Sequence, residues 1–482
     1  MPVPWRICYC FCVYMRTRLV ALSLALLLTP ALGQSPALQL VSQSVAAPLS
    51  DAQIAAADHQ RLLDHLHITE LRPAASHDPN SVNAVNYDEA KANLWPRLPN
   101  PLVLNNGKPV ASATIWRTRR RPELFELFDR EILGRVPANL PAIRWQVVST
   151  TQGSDAGITT VTKHLIGHAD NSAYPALTVN ILADLVLPAD AHKPVPVVLE
   201  ISFDKYPIDP AHPLKLPSPT ESLPTWKQQV LAKGWGYALL YPTSFQADSG
   251  AGLTQGIIGL ANHGEPRKLD DWGTLRAWAW GVSRLMDYLE TDPAVDAHHV
   301  AVEGHSRFGK TALVAMAYDP RFAVAYLSSS GTGGAKLFRR HYGEQMENLA
   351  ATSEYHWMAG NYLRYSELKP KEVTPADLPV DMHELIALCA PRPVFIGGGT
   401  LEGGDGWADV RGTFSAEVAA GPVYKLLGKR PLSDDKGPTE AFPAVGTALI
   451  AGDLGFRQHS GGHTPLPNFP TFLNFASRYM TP

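Results

Sequence analysis

The run VAVEGHSRFGK at residues 300–310 holds the group best suited to covalent chemistry, the hydroxyl of Ser306. Strand-forming residues lead into Gly304, and helix-forming residues follow the serine. A strand that turns sharply into a helix lifts the serine oxygen clear of the backbone, where it can attack an acyl carbon. The spacing departs from the usual G-x-S-x-G elbow. Phe308 stands where the second glycine is expected, and Gly309 comes one residue later. A serine that merely caps the helix is the plain structural alternative.

A serine nucleophile needs a base, and the base needs a carboxylate to orient it. His463 ends the loop Gln458-His459-Ser460-Gly461-Gly462-His463, ahead of a final helix expected at 469–479. Glycines before it and Pro465 after it suit a loop that aims an imidazole across the strand ends. His459 competes for the same role. The acid is expected after a strand at 393–397, and the stretch GGGTLEGGDGWAD at 397–409 offers Glu402, Asp405 and Asp409. Asp381 and His383 form a D-x-H pair, but two ligands without a third make a poor metal site. A helix starting before Leu385-Ile386-Ala387-Leu388 accounts for them better.

These residues need a rigid frame, and the apolar pattern supplies one. Helical spacing is read at 51–66, 121–133, 272–290 and 310–317, with a polar connector at 76–87. Strands are read at 143–149, 164–167, 177–186, 195–201, 237–241, 299–303, 323–327 and 393–397. The early strands read as a meander. The later ones alternate with helices and are apolar throughout, which predicts a parallel sheet covered on both faces. No internal repeat or long low-complexity segment appears.

The 482 residues are 45% hydrophobic and 18% charged, which excludes disorder and fills a substantial core. With 42 basic against 45 acidic side chains, the net charge of −3 argues against nucleic acid as the main partner. Arg16 and Arg18 precede an apolar run at 19–28, too short for a bilayer span, and Ala31-Leu32-Gly33 offers a cleavage site. Residues 1–33 therefore read as a signal peptide of an exported protein, periplasmic or secreted, with Met15 as an alternative start. An uncleaved anchor is the rival reading. Removing 1–33 takes three arginines and no acid, and leaves Cys389 as the one cysteine of four, too few for an internal disulfide.

Together these residues resemble the glucuronoyl esterases, carbohydrate esterase family 15, in their bacterial form. Gly304-His305-Ser306-Arg307-Phe308-Gly309-Lys310 is similar to the family's G-x-S-R-x-G-K signature. In family order follow Ser330-Gly331-Thr332-Gly333-Gly334-Ala335, Arg339-Arg340 with Gly343-Glu344, and Leu378-Pro379-Val380-Asp381-Met382-His383. Ala390-Pro391-Arg392-Pro393-Val394, Trp407-Ala408-Asp409 and Ser460-Gly461-Gly462-His463 complete the series. Pro101-Leu102-Val103-Leu104 and residues 119–137 resemble the family's N-terminal region.

The resemblance implies an α/β-hydrolase fold, a three-layer αβα sandwich with a mostly parallel central sheet. Its domains would be an N-terminal extension at 34–97 and a catalytic domain at 98–482. It implies cleavage of (4-O-methyl-)glucuronic acid esters, as in lignin–glucuronoxylan links, with no cofactor and no metal. Ser306 would be the nucleophile and His463 the base, and Arg307 would hold the oxyanion. Lys310, Glu344 and Trp407 would contact the sugar. Other acylated carbohydrates, acetyl-xylan among them, remain alternative substrates, as does a carbohydrate-binding role without turnover. The partners expected are the polysaccharide ester alone, with no nucleic acid, no stable membrane insertion and a monomeric protein.

Two departures from the family matter. Fungal members place a disulfide cysteine where His305 stands. Many members also carry their acid two residues before the glycine matched by Gly331, and Ser329 occupies that position here. Other bacterial members place an aspartate on the later loop, in a D-x-W arrangement that Asp405-Gly406-Trp407 resembles. Asp405 is therefore the expected acid, with Asp409 as runner-up.

Overall fold

Strands that are apolar on both faces are stable only between two layers of helices. The computed structural model describes residues 49–204, 224–434 and 436–481. Its main sheet is built from β1 (Ile143–Asp155), β2 (Ile158–Ala169), β3 (Asn180–Pro188), β4 (Val195–Ile201), β5 (Gly236–Tyr241), β6 (Val295–His305), β7 (Val324–Ser328), β8 (Val394–Gly398) and β9 (Leu454–Gln458). The strand order is β9-β8-β7-β6-β4-β5-β3-β2-β1. Neighbours are parallel from β9 to β5, and antiparallel from there through β3 and β2 to β1.

The period-two geometry of a strand divides each sequence between two cores. Val197, Leu199 and Ile201 of β4 face one core, and Val198 faces the other. Phe395 of β8 likewise points away from Val394 and Ile396. The first core is covered by α2 (Arg121–Glu131), α4 (Thr274–Leu289), α5 (Arg307–Tyr318), α6 (Met382–Cys389) and α7 (Val410–Leu426). α3 (Trp226–Ala232) and α8 (Phe469–Ala476) cover the second through Val230, Leu231, Phe472 and Phe475. In α4 the buried residues Leu275, Trp278, Val282, Leu285 and Leu289 recur at three and four positions, so one stripe packs on the sheet.

Ahead of the sheet, α1 (Asp51–Leu66) starts at a capping box between Ser50 and Gln53. It is tied into the body of the fold. Leu62 is fully buried, His59 Nε2 bonds the Ala350 carbonyl at 2.9 Å, and Tyr355 Oη donates to the Ala55 carbonyl at 3.0 Å. Through Ala55 and Leu62, α1 thus joins the first core, whereas the expected leader at 1–33 lies outside the described residues.

Three elements differ from the sequence expectation. The strands expected at 143–149 and 164–167 are the ends of one long hairpin, β1–β2, joined at Ala156-Gly157, where both residues have positive φ (49° and 81°). Two left-handed residues make the tight turn whose twist matches that of the strands. Its outer half is exposed and rich in Thr, Ser and Gln, so it lacks the apolar signal of a strand. β9 and α3 were not expected either, being short segments whose apolar residues follow no clear period. Asp381, by contrast, caps α6 with Glu384 in a capping box.

Candidate active site

The turn between β6 and α5 holds Ser306 at φ 56°, ψ −128°, a strained conformation for a residue with a side chain. Its N–H donates to the Ser328 carbonyl of β7 at 2.8 Å. A Cβ on Gly304 would lie 2.1 Å from the Phe308 carbonyl oxygen, so the chain can fold back only over a glycine. The displaced second glycine also has a reason. Gly309 leans on β7, where a Cβ would come within 2.9 Å of the Ser328 carbonyl. Phe308 instead points inward, fully buried against Trp278 and Phe203.

The acid and histidine loops leave the ends of the adjacent strands β8 and β9. His463 Nδ1 donates to Asp405 Oδ1 at 2.7 Å. Asp405 Oδ2 accepts from the Gly399 N–H at 2.7 Å and from Ser329 Oγ at 2.6 Å. The two loops pack backbone on backbone, since Cβ atoms on Gly399 and Gly403 would both collide with the Gly461 carbonyl. Beneath them His305 packs on His463 with ring centroids 4.3 Å apart. Burial, then the nearby His463 and His459, push His305 well below the usual imidazole range, so it is neutral.

The other candidates have different partners. Asp409 Oδ1 caps α7 by accepting from the Gly412 N–H at 3.0 Å, and its Oδ2 pairs with Arg340 at 2.8 Å. Glu402 is exposed. His459 is held within its own loop by the Thr464 carbonyl and the Gly461 N–H. Asp381 accepts from the Phe338 N–H and pairs with Arg339, while His383 Nε2 bonds the Pro99 carbonyl. Among the described residues no group of three His, Cys, Asp or Glu is placed to hold a metal.

Ser306 and His463 open on a cavity of about 170 Å3 whose walls include Arg307, Lys310, Glu344 and Trp407. Lys310 Nζ donates to Glu344 Oε2 at 2.7 Å and to the Thr332 carbonyl at 2.5 Å. Both ionic partners are almost fully buried, so removing either one strands a charge, a loss of about 3–5 kcal/mol in such pairs. Trp407 is backed by His77 at 4.3 Å. Arg307 Nη1 donates to Asp248 Oδ2 at 2.5 Å, and its guanidinium carbon lies 5.1 Å from the centre of the Trp357 ring.

Two further walls were not read from the sequence, Glu354 and Trp357. Burial and then the charge of Glu344 push the Glu354 carboxyl up to about 7, against the pull of Lys310 and Arg307. Its Oε2 has no protein partner although it is buried. Their signal was the string Glu354-Tyr355-His356-Trp357, an acid beside three rings, in a segment without periodicity. Ser329 was read as an empty acid position, yet its hydroxyl bonds the carboxylate on the later loop.

A mostly parallel sheet between helical layers, with Ser306, Asp405 and His463 in the loops after β6, β8 and β9, defines an α/β-hydrolase. Comparison with known proteins narrows the class. A family model described as glucuronyl esterase of fungi matches residues 267–428. A carbohydrate esterase of an unknown prokaryotic organism is 34% identical over 424 residues, covering 82% of this chain and 92% of that protein. The 4-O-methyl-glucuronoyl methylesterase 1 of Wolfiporia cocos is 27% identical, over 74% of this chain and 76% of its own. Among solved structures, a glucuronoyl esterase of family 15 from Teredinibacter turnerae is 45% identical. It superposes with a TM-score of 0.79 over 88% of this chain and 99% of that one. A glucuronoyl esterase from Solibacter usitatus is 32% identical, with a TM-score of 0.69 over 82% and 100% of the two chains. The chain belongs to the glucuronoyl esterases of carbohydrate esterase family 15, and it is a carboxylic ester hydrolase.

Proposed function

We propose that this esterase hydrolyses esters of 4-O-methyl-glucuronic acid through Ser306, His463 and Asp405. The carrying observation is the hydrogen bond between Asp405 and His463, a histidine that lines the same polar cavity as Ser306. His463 takes the proton of Ser306, whose oxygen attacks the ester carbonyl. Arg307 and backbone N–H groups near Ser306 stabilise the oxyanion, a permanent charge meeting a developing one. The alcohol leaves with the proton from His463, and water releases the glucuronoyl group by the reverse sequence. Lys310, Glu344 and Glu354 meet the ring hydroxyls, and Trp407 and Trp357 supply flat apolar walls.

The substrate follows from that lining together with relatives named 4-O-methyl-glucuronoyl methylesterases. A cavity ringed by ionic groups suits a polyhydroxylated acid better than an acetyl group. In plant material this ester joins glucuronoxylan to lignin alcohols, and we assign that link as the natural target. Such a polymer is met outside the cell, in keeping with a leader at 1–33. No helix among the described residues is long and apolar enough to cross a membrane. Hydrolysis of methyl 4-O-methyl-glucuronate and of acetyl-xylan, measured side by side, tests the reading. Preference for acetyl-xylan would reject it, and so would failure of a serine-directed phosphonate to label Ser306.

A further inference from the structure

Asp248 lies in the connection between β5 and α4, away from every motif of the sequence, yet its carboxylate gathers side chains from two distant parts of the site. Oδ2 accepts from Arg307 Nη1 at 2.5 Å. Oδ1 accepts from Trp357 Nε1 at 2.6 Å and from His356 Nε2 at 2.9 Å. The carboxylate is 5% exposed, while the arginine side chain is one-third exposed. A buried acceptor thus anchors a partly exposed cation, and it holds the tryptophan against which that cation lies.

From this geometry we infer that Asp248 is a positioning residue for Arg307, holding one edge of the guanidinium so that another faces the developing oxyanion. The inference rests on the oxyanion role proposed for Arg307. An arginine on a free side chain samples many rotamers, and electrostatic catalysis depends on donors fixed before charge appears. A second carboxylate competes for it. Glu354 lines the same cavity, its Oε2 has no protein partner, and it already feels the charge of Arg307. Without Asp248 the guanidinium would turn toward Glu354 and be lost to the oxyanion. Asp248 therefore keeps Arg307 at the reaction centre. It does so at one remove from the substrate.

The test is a double-mutant cycle on methyl 4-O-methyl-glucuronate, with kcat and KM measured separately. Asp248→Asn is expected to lower kcat by about tenfold or more, less than the roughly 10²–10³ for deleting an oxyanion donor, with KM changed little. In an Arg307→Ala background the same substitution should cost almost nothing further, because the group it positions is gone. Asp248→Glu, which keeps the charge, should recover part of the loss. If Asp248→Asn folds poorly, the cycle is run with Asp248→Glu, whose smaller loss must likewise vanish in the Arg307→Ala background. Equal losses in both backgrounds would overturn the inference and leave Asp248 a structural residue. An unchanged kcat in Arg307→Ala alone would reject the oxyanion reading itself, and the inference with it.

Discussion

At the scale of single residues, the division between Asp405 and Asp409 carries the sharpest expectations. Asp405 alone of the three loop acids meets His463, and its other oxygen is occupied by Gly399 and Ser329. Asp405→Asn should therefore lower kcat by about 10⁴, as for an asparagine in place of a triad aspartate. Asp409→Asn should act mainly on stability, because it weakens a helix cap and a buried pair with Arg340. Activity per folded molecule and the melting temperature, measured on both variants, check this. A larger loss of kcat from Asp409→Asn would refute the assignment. Ser306→Ala should abolish turnover while leaving the melting temperature within a few degrees, since a strained elbow residue contributes little to packing.

At the scale of elements, β4 and β6 carry an unusual feature next to the site. Glu200 and Glu303 are paired across the two strands, and each has a buried oxygen without a partner. Two adjacent carboxyls, each with a buried oxygen, cannot both ionise readily. Burial raises Glu200 to about 8, with Lys227 opposing and Asp204 adding to the rise. Burial, with Glu200 beside it, pushes Glu303 up as well. The folded pKa lies above the unfolded one, so the stability held by Glu200 is full below about 4.5 and lost as pH rises through 8. Glu303→Gln relieves the repulsion. It should raise the melting temperature more at pH 9 than at pH 5, and an equal change at both would count against the pair. The β6–α5 elbow has its own test. Gly304→Ala drives a methyl into the Phe308 carbonyl, and little or no folded protein is expected from expression trials.

For the whole molecule, the question is whether residues 49–97 form an appendage or part of the fold. The contacts favour the second. Arg72 pairs with Glu347 at 2.8 Å, residues Glu70–Leu71 add an antiparallel strand to Glu367–Lys369, and His77 backs Trp407. A chain starting at residue 98 should thus melt several degrees lower, in a single broadened transition by calorimetry. Its KM should rise, as Trp407 loses its support. An unchanged melting temperature and KM would make the segment a dispensable extension.

Sequence alone determined the features that are local in the chain. The elbow was legible because strand, glycine, serine and helix follow one another within eleven residues, and the continuous apolar runs of β4, β6 and β8, alternating with helices, pointed to the layered sheet. His463 was legible because a glycine loop before a terminal helix is likewise a local pattern. The family likeness in ordered motifs extended this to Arg307, Lys310, Glu344 and Trp407. The likeness also favoured Asp405 over Glu402 and Asp409, but only the tertiary structure shows its bond to His463, because a separation of more than fifty residues leaves no spacing rule that would place them together. The same holds for Ser329, which lacks a charge but bonds the carboxylate of a loop 76 residues away. Asp248 and Glu354 stand in segments without period or motif, and the fold alone brings them to Arg307. Local pattern reports what the backbone does over a few residues, whereas a site is assembled by contacts between segments that the chain itself keeps far apart.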